Sequence, residues 1–72
     1  MLATRTRATI AELIKSLRQN NGMTQTELAK RAGVSKGAIS RWEAGQRTPP
    51  TDMFITIMEC LGASVDVTIR EP

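Results

Sequence analysis

Seventy-two residues suffice for one domain with a small core, and a chain this short is marginal alone, so association with a second copy is expected. One cysteine and no histidine exclude an intramolecular disulfide, a metal site built on His and Cys, and catalysis by imidazole. The net charge of +3 is uneven: residues 1–47 hold nine Lys/Arg against three Asp/Glu, and residues 48–72 hold one Arg against four acids, which points the first two thirds toward a polyanion.

Residues 1–7 carry Arg5 and Arg7 without apolar periodicity and read as a flexible N-terminal arm. Such an arm either lies idle or follows the phosphates or minor groove of DNA. No apolar run approaches the roughly 18 residues of a membrane span, so no membrane partner is expected. A lone cysteine fits a reducing cytoplasm.

A first helix is predicted from Ala8 to Asn20. Ile10, Leu13, Ile14 and Leu17 recur at i, i+3, i+4 and i+7, and form its inward stripe. Glu12, Lys15 and Gln19 fall on the opposite side, and Arg18 flanks the stripe. Asn21-Gly22 ends the helix. Helix 2 starts at Thr24, where Thr24-x-x-Glu27 spells a capping box. Leu28, Ala29 and Ala32 point inward, Gly33 turns the chain, and Val34 plugs the angle to the next helix.

Helix 3 is capped by Ser35. Ala38, Ile39 and Trp42 fill one side, while Gly37, Ser40, Arg41 and Ala44 take the other, with Lys36 on the flank of the first turn. Solvation alone does not explain an outward face of small residues and one arginine. Such a face lets a helix backbone approach another surface closely. Gly45 stops the helix, and the stiff Gln46-Arg47-Thr48-Pro49-Pro50 connection leads to Thr51, the next N-cap candidate. Helix 4 then runs from Asp52 to Leu61. Phe54, Ile57, Met58 and Leu61 point inward; Met53, Ile55 and Cys60 widen the apolar arc as if for a second contact.

The period changes after Gly62. Val65, Val67 and Ile69 alternate with Ser64, Asp66, Thr68 and Arg70, the pattern of a half-buried strand. A lone strand needs a partner, and the nearest is the same strand of a second copy. Val65, Val67 and Ile69 are therefore the expected homodimer interface. The expected fold is all-α, four helices with one C-terminal β-strand: arm 1–7, DNA-binding domain 8–62, dimerisation strand and tail 63–72.

Residues Gln25 to Trp42, continuing through Glu43-x-Gly45, resemble the helix-turn-helix of the Xre/Cro, phage-repressor-like family. The matching positions are Gln25, Leu28, Ala29, Ala32-Gly33-Val34, Ile39 and Trp42. The resemblance implies a lambda-repressor-like fold and a partner in double-stranded DNA. It places Lys36, Gly37, Ser40 and Arg41 at base edges, with Arg41 suited to guanine. It places Thr24, Gln25, Lys30, Ser35, Arg47 and Thr48 at phosphates. Several of these have ordinary alternatives: Ser35 caps its helix in any case, and Lys30 and Arg31 also fit plain solvation. Glu43 reads as a structural partner of the following loop.

The tail LGASVDVTI resembles the end of HipB-type antitoxins, which implies a toxin protein as a further partner. The other reading is a stand-alone regulator of the same family. No cofactor is expected, and an enzyme lacks support in a chain with no His, no metal set and no paired acids.

Overall fold

The computed structural model describes the backbone of residues 2–63 and the side chains of residues 7–63. Four helices occupy them: α1 Leu2–Asn20, α2 Gln25–Ala32, α3 Lys36–Glu43 and α4 Thr51–Cys60. The strand expected over residues 64–70, with Val65, Val67 and Ile69, lies outside the described residues.

α1 begins at Leu2, not Ala8. Residues 2–7 contain no Gly or Pro, so no local breaker separates them from the helix behind. The stretch expected as an arm forms the first turns of α1, and Arg7 is a helix residue. At the other end, the Gly22 N–H donates to the Gln19 carbonyl and the Met23 N–H to the Arg18 carbonyl, both near 3 Å, a Schellman turn. The Asn21 side-chain amide donates to the carbonyls of Leu17 (2.7 Å) and Leu61 (3.2 Å), which ties the ends of α1 and α4 together.

The capping box forms as the sequence requires. Thr24 Oγ1 accepts from the Glu27 N–H at 3.0 Å, and the Thr24 N–H donates to Glu27 Oε1 at 3.1 Å. These contacts hold the Glu27 carboxyl below its ordinary range; the hydrogen bond from the Thr24 backbone is the larger cause, that from its side chain the next. The folded pKa thus lies below the unfolded one. The capping contribution is present above the unfolded value and lost as pH falls through the folded one. Thr24→Ala is expected to cost about 1 kcal/mol in urea denaturation. Glu27→Gln is expected to flatten the acid limb of stability against pH.

Between α2 and α3 the chain reverses at Gly33, whose φ of 74° suits glycine and penalises any side chain. Ser35 Oγ then accepts from the Ala38 N–H at 3.1 Å and caps α3. Thr51 is not a cap. Pro50 holds the N-cap position of α4 without a side-chain bond, and Thr51 is the first helical residue.

Ile14, Leu28, Ile39, Ile57 and Met58 are fully buried, with Ala29, Ala32, Trp42 and Leu61 completing the core. α1 packs on α3, α2 on α3, and α4 on α2. One expectation about faces fails. Leu13 is 41% exposed, whereas Ala11 is 5% exposed. α1 is turned so that small Ala11 meets the chain reversal at Gly45, where a Cβ would sit 4.0 Å from that of Ala11. Larger Leu13, 200° around the helix from Ala11, is rotated outward. In α4, Met53 and Cys60 pack partly on this chain's own core, and half-buried Ile55 is not among the residues packed there.

Candidate nucleic-acid interface

The site grows from the two-sidedness of α3. Ile39 and Trp42 are buried and Ala38 packs on the core. Lys36, Gly37, Ser40, Arg41 and Ala44 are exposed. The four residues expected at base edges therefore share one open face that carries two cations and no acid. Gly37 does more than thin that face. A Cβ built there would lie 3.3 Å from Arg41 Nη1, closer than comfortable contact. The Arg41 guanidinium folds back across the glycine, one turn earlier on the helix, and the missing side chain is its seat.

Behind this face lies a partly buried ionic junction. Arg18 Nε donates to Glu43 Oε2 at 2.7 Å, and Nη2 to Oε1 at 3.0 Å, a bidentate fork. Arg18 Nη1 donates to the Met23 carbonyl at 2.8 Å. Gln25 Nε2 donates to Glu43 Oε1 at 3.1 Å. The Arg18 side chain is 12% exposed and that of Glu43 4%, so the pair is largely out of water. The hydrogen bond to Glu43 is the main cause that pushes the Arg18 pKa above its ordinary value, against the opposing effect of burial. One junction thus fixes the end of α1, the start of α2 and the last turn of α3.

Sequence reasoning gave Glu43 a partner in the following loop and left Arg18 as a flanking residue. Both assignments change. A signal was available: Arg18 lies four residues after Ile14 and seven after Ala11, on the buried stripe, and a buried cation needs a buried acid. Glu43, next to buried Trp42, is that acid. Gln25, expected at a phosphate, has one amide hydrogen engaged by Glu43 and retains a second for an outside acceptor.

Two open clefts flank α3. One, of about 440 Å³, is lined by Arg7, Gln46, Arg47 and Thr48. The other, of about 190 Å³, is lined by Lys15, Gln25, Ser40, Glu43 and Ala44. The structure thus gathers Gln25 and Ser40 into one cleft and Arg47 and Thr48 into the other. Thr24 and Ser35 are exposed, each with its hydroxyl oxygen occupied as a cap acceptor. Lys30, in the last turn of α2, lines neither cleft. Sequence reasoning missed Lys15, set on the far side of α1, and the placement of Arg7 beside Arg47.

Comparison with known proteins identifies the fold and the family. Residues 14–67 match the family model HTH_3, described as helix-turn-helix. The chain is 37% identical over 51 residues to Repressor protein C of Escherichia phage P2, covering 71% of this chain and 52% of that one. It is 36% identical over 56 residues to Antitoxin HipB of Escherichia coli K12, covering 78% and 64%. The solved structure of the clp gene regulator ClgR from Corynebacterium glutamicum superposes with a TM-score of 0.78 at 31% identity, over 81% of this chain and 62% of that one. The chain therefore spans less than two thirds of the length of each.

Proposed function

The chain belongs to the helix-turn-helix family HTH_3, and from that membership we propose that it is a sequence-specific DNA-binding repressor of transcription. In this reading α3 enters the major groove, with Lys36, Gly37, Ser40 and Arg41 against base edges. Thr24, Gln25, Lys30, Ser35, Arg47 and Thr48 meet phosphates. The observation that carries it is the acid-free exposed face of α3, set rigidly by a core and an ionic junction on its other side. In-vitro selection from a random DNA pool at moderate salt is the test. An enriched motif with two-fold symmetry, its half-sites about 34 Å apart, is the expected result. A pool with no enriched motif overturns the reading.

One copy of α3 offers few specific contacts, so the proposal includes a homodimer paired through Val65, Val67 and Ile69. A chain ending at Gly62 is expected to sediment as a monomer and to lose affinity for the two-fold site. If it remains a dimer, the strand is not the interface.

The similarity to Antitoxin HipB supports a second role as the autoregulating antitoxin of a toxin–antitoxin pair. The similarity to Repressor protein C supports the alternative, a stand-alone regulator. Expressing the adjacent gene alone separates them. Growth arrest relieved by this chain indicates the antitoxin; no arrest indicates the regulator.

A further inference from the structure

α1 carries a row of residues toward α3 that the helix-turn-helix reading does not use. Ala11 meets the reversal at Gly45, which fixes how closely α1 approaches the end of α3. Arg7 lies one turn before Ala11 and Lys15 one turn after it, on the same side of the helix. Each completes a cleft that flanks α3. Arg7 joins Arg47, Gln46 and Thr48, so two arginines line one cleft, with no carboxylate among the described residues that line it. Like charges brought together without a counter-charge repel, and a bound anion removes the penalty. Lys15 shares its cleft with Glu43, but both oxygens of that carboxylate are engaged by Arg18 and Gln25.

We propose that α1 is a further DNA-contacting helix, and that Arg7 and Lys15 seat two backbone phosphates of the same duplex that α3 reads. The inference rests on the proposed function and extends it to residues outside the helix-turn-helix. The two side chains leave α1 about 12 Å apart at 1.5 Å per residue. Neither seat reads a base. Both add affinity on any sequence and make it steeper in salt.

The test measures fluorescence anisotropy of the full chain on the selected duplex and on an unrelated duplex of equal length, across a salt series. Arg7→Gln and Lys15→Gln are each expected to weaken binding several-fold on both duplexes alike. Each is expected to reduce the slope of log K against log salt by about 0.9. Arg7→Lys retains the slope. Arg7→Met keeps the packed stem of this half-buried residue, so a loss shared with Arg7→Gln is not a packing defect. Arg31→Gln removes the same charge from an exposed position on α2 that lines neither cleft, and leaves the slope unchanged.

The proposal is overturned if Arg7→Gln and Lys15→Gln behave like Arg31→Gln, or if their losses appear only on the selected duplex. If Arg41→Ala loses preference for the selected duplex while the α1 variants bind as before, this inference falls and the repressor reading stands. If the chain binds no duplex at all, both fall.

Discussion

Glu43→Ala is expected to destabilise the domain by about 3 kcal/mol, the low end of the range for removing one partner of a buried ion pair, because this pair is partly buried. Arg18, with a side chain only 12% exposed, would keep its charge and lose both legs of its fork. At roughly 0.05–0.15 kcal/mol per residue a domain of this size has about 4–11 kcal/mol in total, so the variant is near the edge of folding at 37 °C. Its melting temperature should fall by more than about 10 °C, at 4–8 °C per kcal/mol. Thermal and urea denaturation measure this directly. The paired replacement Arg18→Met with Glu43→Leu separates a stranded charge from lost packing. It should recover much of the loss, because a buried ion pair offers little net stability over well-packed apolar groups. A double variant as unstable as Glu43→Ala would show that the hydrogen bonds to Met23 and Gln25, not the stranded charge, carry the energy.

Arg41→Ala is the larger of the expected effects on binding. A bidentate arginine–guanine pair discriminates by about 1–3 kcal/mol, so affinity should fall by that amount and preference should relax at one base pair. Equal loss on every sequence would make Arg41 a phosphate contact instead. Gly37→Ala probes the same arginine from beneath. Alanine favours the helix by up to about 1 kcal/mol over glycine, so the melting temperature should rise slightly. The new methyl meets Arg41 Nη1 at 3.3 Å, so the guanidinium must give by a few tenths of an ångström. Weaker binding at the Arg41 base pair by a more stable protein is the expected combination. An unchanged base preference would show that the seat is not used on DNA.

What could be read from the sequence was set by range. The α2–turn–α3 unit was legible in detail, because its determinants act within a few residues. Thr24 and Glu27 close a capping box, Gly33 takes the left-handed turn, and Ser35 caps α3. The orientation of α1 was not legible. Its apolar periodicity favoured Leu13, but contacts with residues more than twenty positions away, Ala11 with Gly45 and Arg18 with Glu43, decide which side faces in. The same rotation leaves Lys15 exposed but sets it at an open cleft that Ser40 also lines. The start of α1 is not legible because residues 2–7 lack the apolar periodicity that marks a helix, although α1 begins at Leu2. Thr51 was preferred as a cap on residue type alone, and the chain direction fixed by Pro49-Pro50 puts Pro50 there instead.

Trp42 is the chain's one tryptophan, and there is no tyrosine. It is 9% exposed and lies on the inner side of the helix whose outer side is proposed to read DNA. Its emission therefore reports, from a single known position and without added dye, whether α3 is seated on the core. Loosening the ionic junction should move that emission to longer wavelength. Changing the outer face at Arg41 should leave the emission of the unbound protein where it is. One optical signal can thus separate variants that unseat the recognition helix from variants that only alter what it touches.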